Sequence, residues 1–327
     1  MTERRRPSDE ATESREAAPS DGPTRFRVLG IEDGMMLRQL LARRLGVTPA
    51  AASELVRAGG VYVGTIRMGV PTLRVAEGER VTVYRAAAAA KPVDLEALRV
   101  VYRDDSCVIV DKPHGVPAAA TKVTGRGTVA HALVQRLAQE KVARPYVGLV
   151  HALPAAAAGL TMFTVRGQAT ESFYKVFAEL AMVRRYVVRI VGAMPAAAMT
   201  CKTGVVATPA GGWRLAKETE SGLATTTTVT RVATFAGDEG MDGETLAEVA
   251  LTGGGTGGGE AVRLHMAGLG LGLVGDAEHG AAGPGVEAPQ VLCLLAAHIS
   301  FVHPRTGAAV AVEAERPGWA VVGAGER

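Results

Sequence analysis

Cysteine is scarce in this chain: Cys107, Cys201 and Cys293 are the only three in 327 residues, they lie roughly ninety apart, and no CxxC pair occurs. That spacing excludes a disulfide framework and offers no zinc-ligating pattern, so reduced, partly buried thiols and no bound metal are expected. Long apolar runs are also missing. Nowhere do eighteen apolar residues follow one another, and the first twenty-five, rich in Arg, Glu, Ser and Pro, lack the apolar core of a signal peptide. A cytoplasmic protein with no membrane partner is the expectation. No Gly-Lys-Ser/Thr ending follows the one glycine-rich stretch, "GGGTGGGE", which argues against a phosphate-cradling loop there. The stretch is expected to be a flexible loop leading into a strand.

What is present points to folded domains. Hydrophobic residues make up 47% and charged residues 21%, which excludes wholesale disorder. The length is about 2.2 times a usual domain, so two domains are expected. The net charge of +3 does not select a partner by itself, but its distribution is informative. Between Met35 and Arg74, Arg38, Arg43, Arg44, Arg57, Arg67 and Arg74 face a single acid, Glu54, giving a concentrated electropositive segment.

Residues 1–25 show no periodicity and read as a disordered tail. In 26–85, Leu37, Leu40, Leu41 and Leu45 recur at helical spacing up to Gly46, and Thr48-Pro49 opens a second helix that stops at Gly59-Gly60. Short strands are predicted at Val61–Val63 and Val81–Tyr84. The run "LRQLLARRLGVTPAAASELVRAGGVYVG" with "VAEGERVTVY" resembles the alpha-L (S-four-type) RNA-binding domain. The resemblance implies that Arg38, Arg43, Arg44 and Arg57 meet RNA phosphates. Amphipathic helices also carry arginine merely to solvate an exposed face. The surrounding pattern favours RNA.

An alanine-rich linker is expected over 86–97. Residues 98–327 then read as α+β: strands at Arg99–Tyr102, Cys107–Asp111, Leu149–His151, Leu160–Val165, Tyr186–Val191 and Val262–Met266, with helices near Thr128–Glu140 and Gln168–Ala181. Five motifs run in order through this region: "VIVDKPHGVP", "GLVHALPAAAAGLTMFTV", "VRRYVVRIVGAMP", "TGGGEAVRLHMAGLGLGLVGDAEHG" and "LCLLAAHISFVHPRTG". Together they resemble the RluA family of pseudouridine synthases, which isomerise uridine in ribosomal and transfer RNA without a cofactor. The resemblance implies a synthase-like domain on a mainly antiparallel mixed sheet, with no cofactor and with structured RNA, ribosomal or transfer, as partner. It also implies a pocket at His151, Leu153, Pro154, Tyr186, Arg263 and Leu264, with Arg185 and Tyr186 as a basic-aromatic pair.

The chemistry of that family departs at one position. Its essential aspartate in "HRLD" aligns with Pro154, which has no acid, base, nucleophile or N–H. Ala152 stands for the motif's arginine and Ala155–Ala158 for its further polar residues, while Gly257–Ala261 replaces "GRtHQ". Arg263 falls where the family's guanidinium pairs with the aspartate, and is therefore expected to face a site without a carboxylate, open to water or holding another anion. Asp104, Asp105, Asp111, Glu260 and Asp276 are the remaining carboxylates of interest, and the alignment places none for nucleophilic attack. His151, His265 and His303 fall on framework positions, and His114, His131, His279 and His298 show no ligand pairing at i, i+4. The resulting expectation is an RNA-binding pseudoenzyme. The alternatives are an active RNA pseudouridine synthase using a displaced carboxylate and a protein-interaction scaffold without an RNA role.

Overall fold

The computed structural model describes residues 22–89, 91, 93, 94, 96, 98–143, 145–178, 182–208, 212–217, 220–236, 243–253, 255–279 and 291–322. The expected tail up to residue 21, parts of the expected linker and the end of the expected helix at 179–181 lie outside the described residues. The chain folds as two compact units that divide between residues 88 and 89.

In the first unit, β1 (Thr24–Arg27), β2 (Val61–Val63), β3 (Ile66–Arg67) and β4 (Arg80–Val83) form an antiparallel sheet in the order β1-β4-β2-β3. Helices α1 (Leu37–Leu45) and α2 (Pro49–Arg57) supply its apolar cover. Leu37, Leu40 and Leu41 are fully buried because their spacing puts them on one helical face. Gly46 ends α1 at φ 66°, a left-handed conformation that costs glycine little. The Thr48 hydroxyl caps α2 by accepting the Ala51 N–H at 3.2 Å, and Pro49 fills the first turn where no N–H is needed.

The second unit is built on a ten-stranded mixed sheet. It contains β5 (Arg99–Arg103), β6 (Cys107–Lys112), β7 (Gly148–Leu149), β8 (Ala158–Thr164), β9 (Val183–Val191) and β10 (Met199–Cys201), and, after a separate hairpin of β11 (Val205–Ala207) and β12 (Trp213–Leu215), β13 (Thr225–Phe235), β14 (Glu244–Gly253), β15 (Leu294–Val302) and β16 (Ala309–Glu313). The path runs β10-β13-β14-β9-β15-β8-β6-β5, with β16 on β15 and β7 on β8. Every pairing among the described strands is antiparallel except β8 with β15. There Gly159, at φ 106°, brings the two backbones so close that a Cβ would stand 2.5 Å from the Ala296 carbonyl oxygen. Helices α3 (Val129–Gln139), α4 (Thr170–Ala178) and α5 (Gly258–Gly268) complete the unit, an α+β fold with a mainly antiparallel sheet, as expected. No helix among the described residues is long and apolar enough to cross a membrane.

The structure departs from the expectation at several points: Thr24 and Arg25, expected in the tail, open β1, and β10 to β16 fall where no strand was expected. A further difference is in α5. Val262–Met266 is not a strand but the middle of α5, so the glycine-rich stretch leads into a helix. Gly258, Gly259 and Ala261–Met266 are all buried, so α5 is enclosed on every side and shows no one-sided apolar stripe. A short, fully buried run of this kind has no period from which helix and strand can be told apart.

Candidate functional site

The positions aligned with the family pocket converge where α5 crosses the sheet. Along β9 side chains alternate in and out, so Arg184 and Tyr186 share the inward face and Arg185 points the other way. The inward basic-aromatic pair is therefore Arg184 with Tyr186, not Arg185 with Tyr186, a distinction the period-2 pattern of the strand carries. Tyr186 is wholly buried, and its hydroxyl lies 3.1 Å from Nε2 of His151, itself stacked on Phe177 at 5.5 Å. Burial, helped by the charge of Arg184, depresses the His151 imidazole to about 3, so the ring is neutral. Burial likewise pushes the Tyr186 phenol up to about 12, against the pull of Arg184.

Arg184 is buried with no carboxylate partner among the described residues. It donates to the Gly253 carbonyl and, at 2.8 Å, to that of Gly255, while its Nε finds no acceptor. Two carbonyls from the glycine-rich loop thus replace a counter-ion, and burial holds the guanidinium below its ordinary value.

Pro154 is half-buried and Leu153 buried, and both pack on the first turn of α5. A Cβ on Gly259 would lie 2.8 Å from Cδ of Pro154 and 3.0 Å from a Leu153 methyl. A Cβ on Gly258 would lie 2.6 Å from the Tyr186 hydroxyl and 2.8 Å from Arg184. Backbone accordingly fills the space in front of Tyr186, and only glycine fits there. The glycine that stands in the place of "GRtHQ" at 259 and the proline at 154 therefore pack against each other.

Arg263 sits one helical turn beyond Gly259 on the same face. The expectation that it lacks a carboxylate is corrected: Asp276 accepts from its Nε at 2.9 Å and its Nη2 at 2.6 Å, Glu260 from Nη1 at 2.9 Å, and Glu278 from Nη2 at 2.8 Å. The physical reason is local. Glu260 is at i−3 on the same helix, and the turn following Val274 delivers Asp276 and Glu278. Burial opposes the charge of Arg263, but these three carboxylates outweigh it and raise its pKa. Leu264 belongs to the apolar core.

Other carboxylates are committed elsewhere. Asp276 also accepts the N–H groups of Glu278 and His279. Asp111 accepts the N–H of Glu315 and lies 3.5 Å from Arg99. Lys112 is buried among the carbonyls of Pro113, Val116, Ala155 and Ala157, tying the Lys-Pro loop to the turn after Pro154. Burial draws its ammonium down to about 7.

Two clusters have metal-type donors. Asp104, Cys107 and His303 place ligand atoms within 4.8 Å of one another. Nδ1 of His303 accepts the N–H groups of Arg305 and Thr306, which puts the proton on Nε2, 2.9 Å from Asp104 but poorly aligned for a hydrogen bond. The lone pair of Nδ1 is thus already engaged by the turn between β15 and β16 and is not free for a metal. In Glu260, Glu278 and His279 the guanidinium of Arg263 already stands between the two glutamates.

In the first unit, Arg44 is bound to buried Glu32 at 2.7 Å and lies over Phe26, and Arg57 pairs with Glu54 at 2.7 Å. The hydrogen bond from Arg44 is the main cause that holds Glu32 below the usual carboxylate range. Arg38 and Arg43 have no carboxylate partner among the described residues, and Arg43 is exposed.

A family model described as RNA pseudouridylate synthase matches residues 106–266. An uncharacterized RNA pseudouridine synthase of Aquifex aeolicus is 25% identical over 311 residues, 89% of this chain and 93% of that protein. One of Mycobacterium bovis is 27% identical over 164 residues, covering 47% of this chain and 51% of its own length. Among solved structures, human RNA pseudouridylate synthase domain containing 1 aligns with a TM-score of 0.53 at 20% identity, over 69% of this chain and 86% of that one. Its domain containing 4 counterpart aligns with 0.52 at 15%, over 69% and 92%. These two likenesses concern the fold. Residues 106–266 thus carry a region that matches the RNA pseudouridylate synthase model, and the chain is similar in sequence to RNA pseudouridine synthases and in fold to RNA pseudouridylate synthase domain proteins.

Proposed function

We propose that this chain is an RluA-like family member that binds structured RNA, ribosomal or transfer, and does not isomerise uridine. The family reaction breaks the glycosidic bond, turns the base and rejoins it through carbon five, and it needs a carboxylate at the position that Pro154 occupies. The observation that carries the reading is the contact of Pro154 and Leu153 with Gly259: the place of the carboxylate is a proline, and the space before it is helix backbone. The arginine that would orient an aspartate is engaged by Asp276, Glu260 and Glu278.

The reading that uses a displaced carboxylate finds little support. The groups nearest the old pocket, Asp276 and Glu260, have their oxygens engaged by Arg263, backbone N–H groups and His279. RNA affinity is assigned to the first unit, through Arg38 and Arg43, with Arg44 and Arg57 reaching phosphate only by giving up a carboxylate.

The test is substitution at the altered position. Incubated with ribosomal and transfer RNA, the unaltered chain and Pro154→Asp should both leave pseudouridine content, measured by mass spectrometry of nucleoside digests, at the level of the no-protein control. Pseudouridine above that level with Pro154→Asp alone would show that an accessible pocket persists and would sink the closed-pocket reading.

A further inference from the structure

Pro154 precedes β8; at the far end of that strand, about 20 Å away at ~3.3 Å per residue, the surface is concave. The concavity is an open groove of about 530 Å³ between the β5–β6 turn, the end of α3 and the segment 165–168. Its wall is an aromatic ring held in a fixed pose. Tyr146 is 41% exposed, yet its hydroxyl is 3.2 Å from Oγ1 of Thr170, which is tied in turn to Thr164 at 2.8 Å. The ring rests against Gly148 and Gly167, where any side chain would meet it. An immobilised tyrosine with one face in a groove loses little entropy when a planar group stacks on it.

Beside the ring, Arg166 is anchored through Nε to the Asp105 carbonyl at 2.6 Å, and its two terminal amino groups have no partner among the described residues. Its planar fork is thus oriented and available, which suits a phosphate. Arg103, the other lining cation, is already neutralised by two bonds to Glu140. Gln168 and the exposed Asp105 add an amide and a carboxylate at the rim, of the kind that bond base edges and ribose hydroxyls.

We propose that this groove holds a single nucleotide, its base stacked on Tyr146 and its phosphate on Arg166. As a unit of a strand, the nucleotide extends the RNA-binding function proposed above and rests on it; as a free nucleotide it does not. The full chain is titrated with a fluorescein-labelled single-stranded RNA decamer by anisotropy, and with free UMP and GMP by calorimetry. Tyr146→Ala should weaken the decamer about tenfold, Tyr146→Phe, which keeps the ring but not its bond to Thr170, should retain most of the affinity, and Arg166→Gln should weaken binding and flatten its salt slope by about one. Retention of binding by Tyr146→Phe separates stacking from a folding defect. Equal affinities for Tyr146→Ala and the unaltered chain, toward both decamer and free nucleotide, would overturn the groove. Tyr146-dependent binding of UMP or GMP with no binding of the decamer would keep the groove as a free-nucleotide site and discard its use on an RNA strand; binding of neither probe would discard the groove, while the structured-RNA reading is tested separately by the salt series on the first unit.

Discussion

Arg263→Ala is expected to lower the thermal unfolding midpoint of the synthase domain by roughly 6–20 °C. Removing the arginine leaves Asp276, whose side chain is 1% exposed, as a buried charge without its cation, a change that costs about 3–5 kcal/mol. In a domain of this size each kcal/mol moves the midpoint by about 2–4 °C. Replacing both partners, as in Arg263→Met with Asp276→Leu, should recover most of the loss, because two apolar side chains leave no uncompensated charge. The effect has a pH signature. Burial alone would raise the Asp276 pKa, but the hydrogen bonds of Arg263 and of two backbone N–H groups hold it below its ordinary value. A depressed folded-state pKa contributes stability that is fully present above the unfolded value near ~4 and is lost as pH falls through the folded value. The gap between Arg263→Ala and the unaltered chain should therefore be widest at neutral pH and narrow below about pH 4. Calorimetric scans at pH 7 and pH 3.5 measure it; a gap that does not change with pH would mean that the carboxylates are not the reason for the loss.

The second large effect concerns RNA. Arg38→Glu combined with Arg43→Glu should reduce affinity for structured RNA by at least tenfold at ~0.15 M salt and lower the salt slope by about two, one for each phosphate contact removed. These two arginines are the informative pair because neither has a carboxylate partner among the described residues. Arg44→Glu is a poor substitute, since it would set a second carboxylate against Glu32, which is 2% exposed, and so unfold the site being tested. Filter binding over a salt series reads both numbers. An unchanged slope would remove the first unit from the RNA interface.

The sequence revealed much of this protein through periodicity and little through pairing. The strands around Cys107–Asp111 and Leu160–Val165 were legible because each is an apolar run bounded by polar turns, and α1 because its leucines repeat at helical spacing. Helix α5 was not legible, since a run buried on all sides carries no period and its glycines resemble a loop. Pro154 stood out in the sequence as a chemical absence. That Gly258 and Gly259 close the space in front of it needed three dimensions. The same holds for Arg263, whose Asp276 lies thirteen residues along the chain, and for Arg44, whose Glu32 lies twelve residues back. Only the choice of Arg185 over Arg184 was avoidable, because alternation in β9 puts Arg184 on the face of Tyr186.

The most direct test of a synthase scaffold that holds RNA without changing it is tritium release from RNA labelled at carbon five of uracil. Purified protein is compared with a no-protein control and with an active family member on the same RNA. The expected result is release at the level of the control under conditions where the protein binds the RNA. Release above the control would contradict it and would require a catalytic carboxylate, to be sought by substituting Asp105, Asp111, Glu260 and Asp276 in turn.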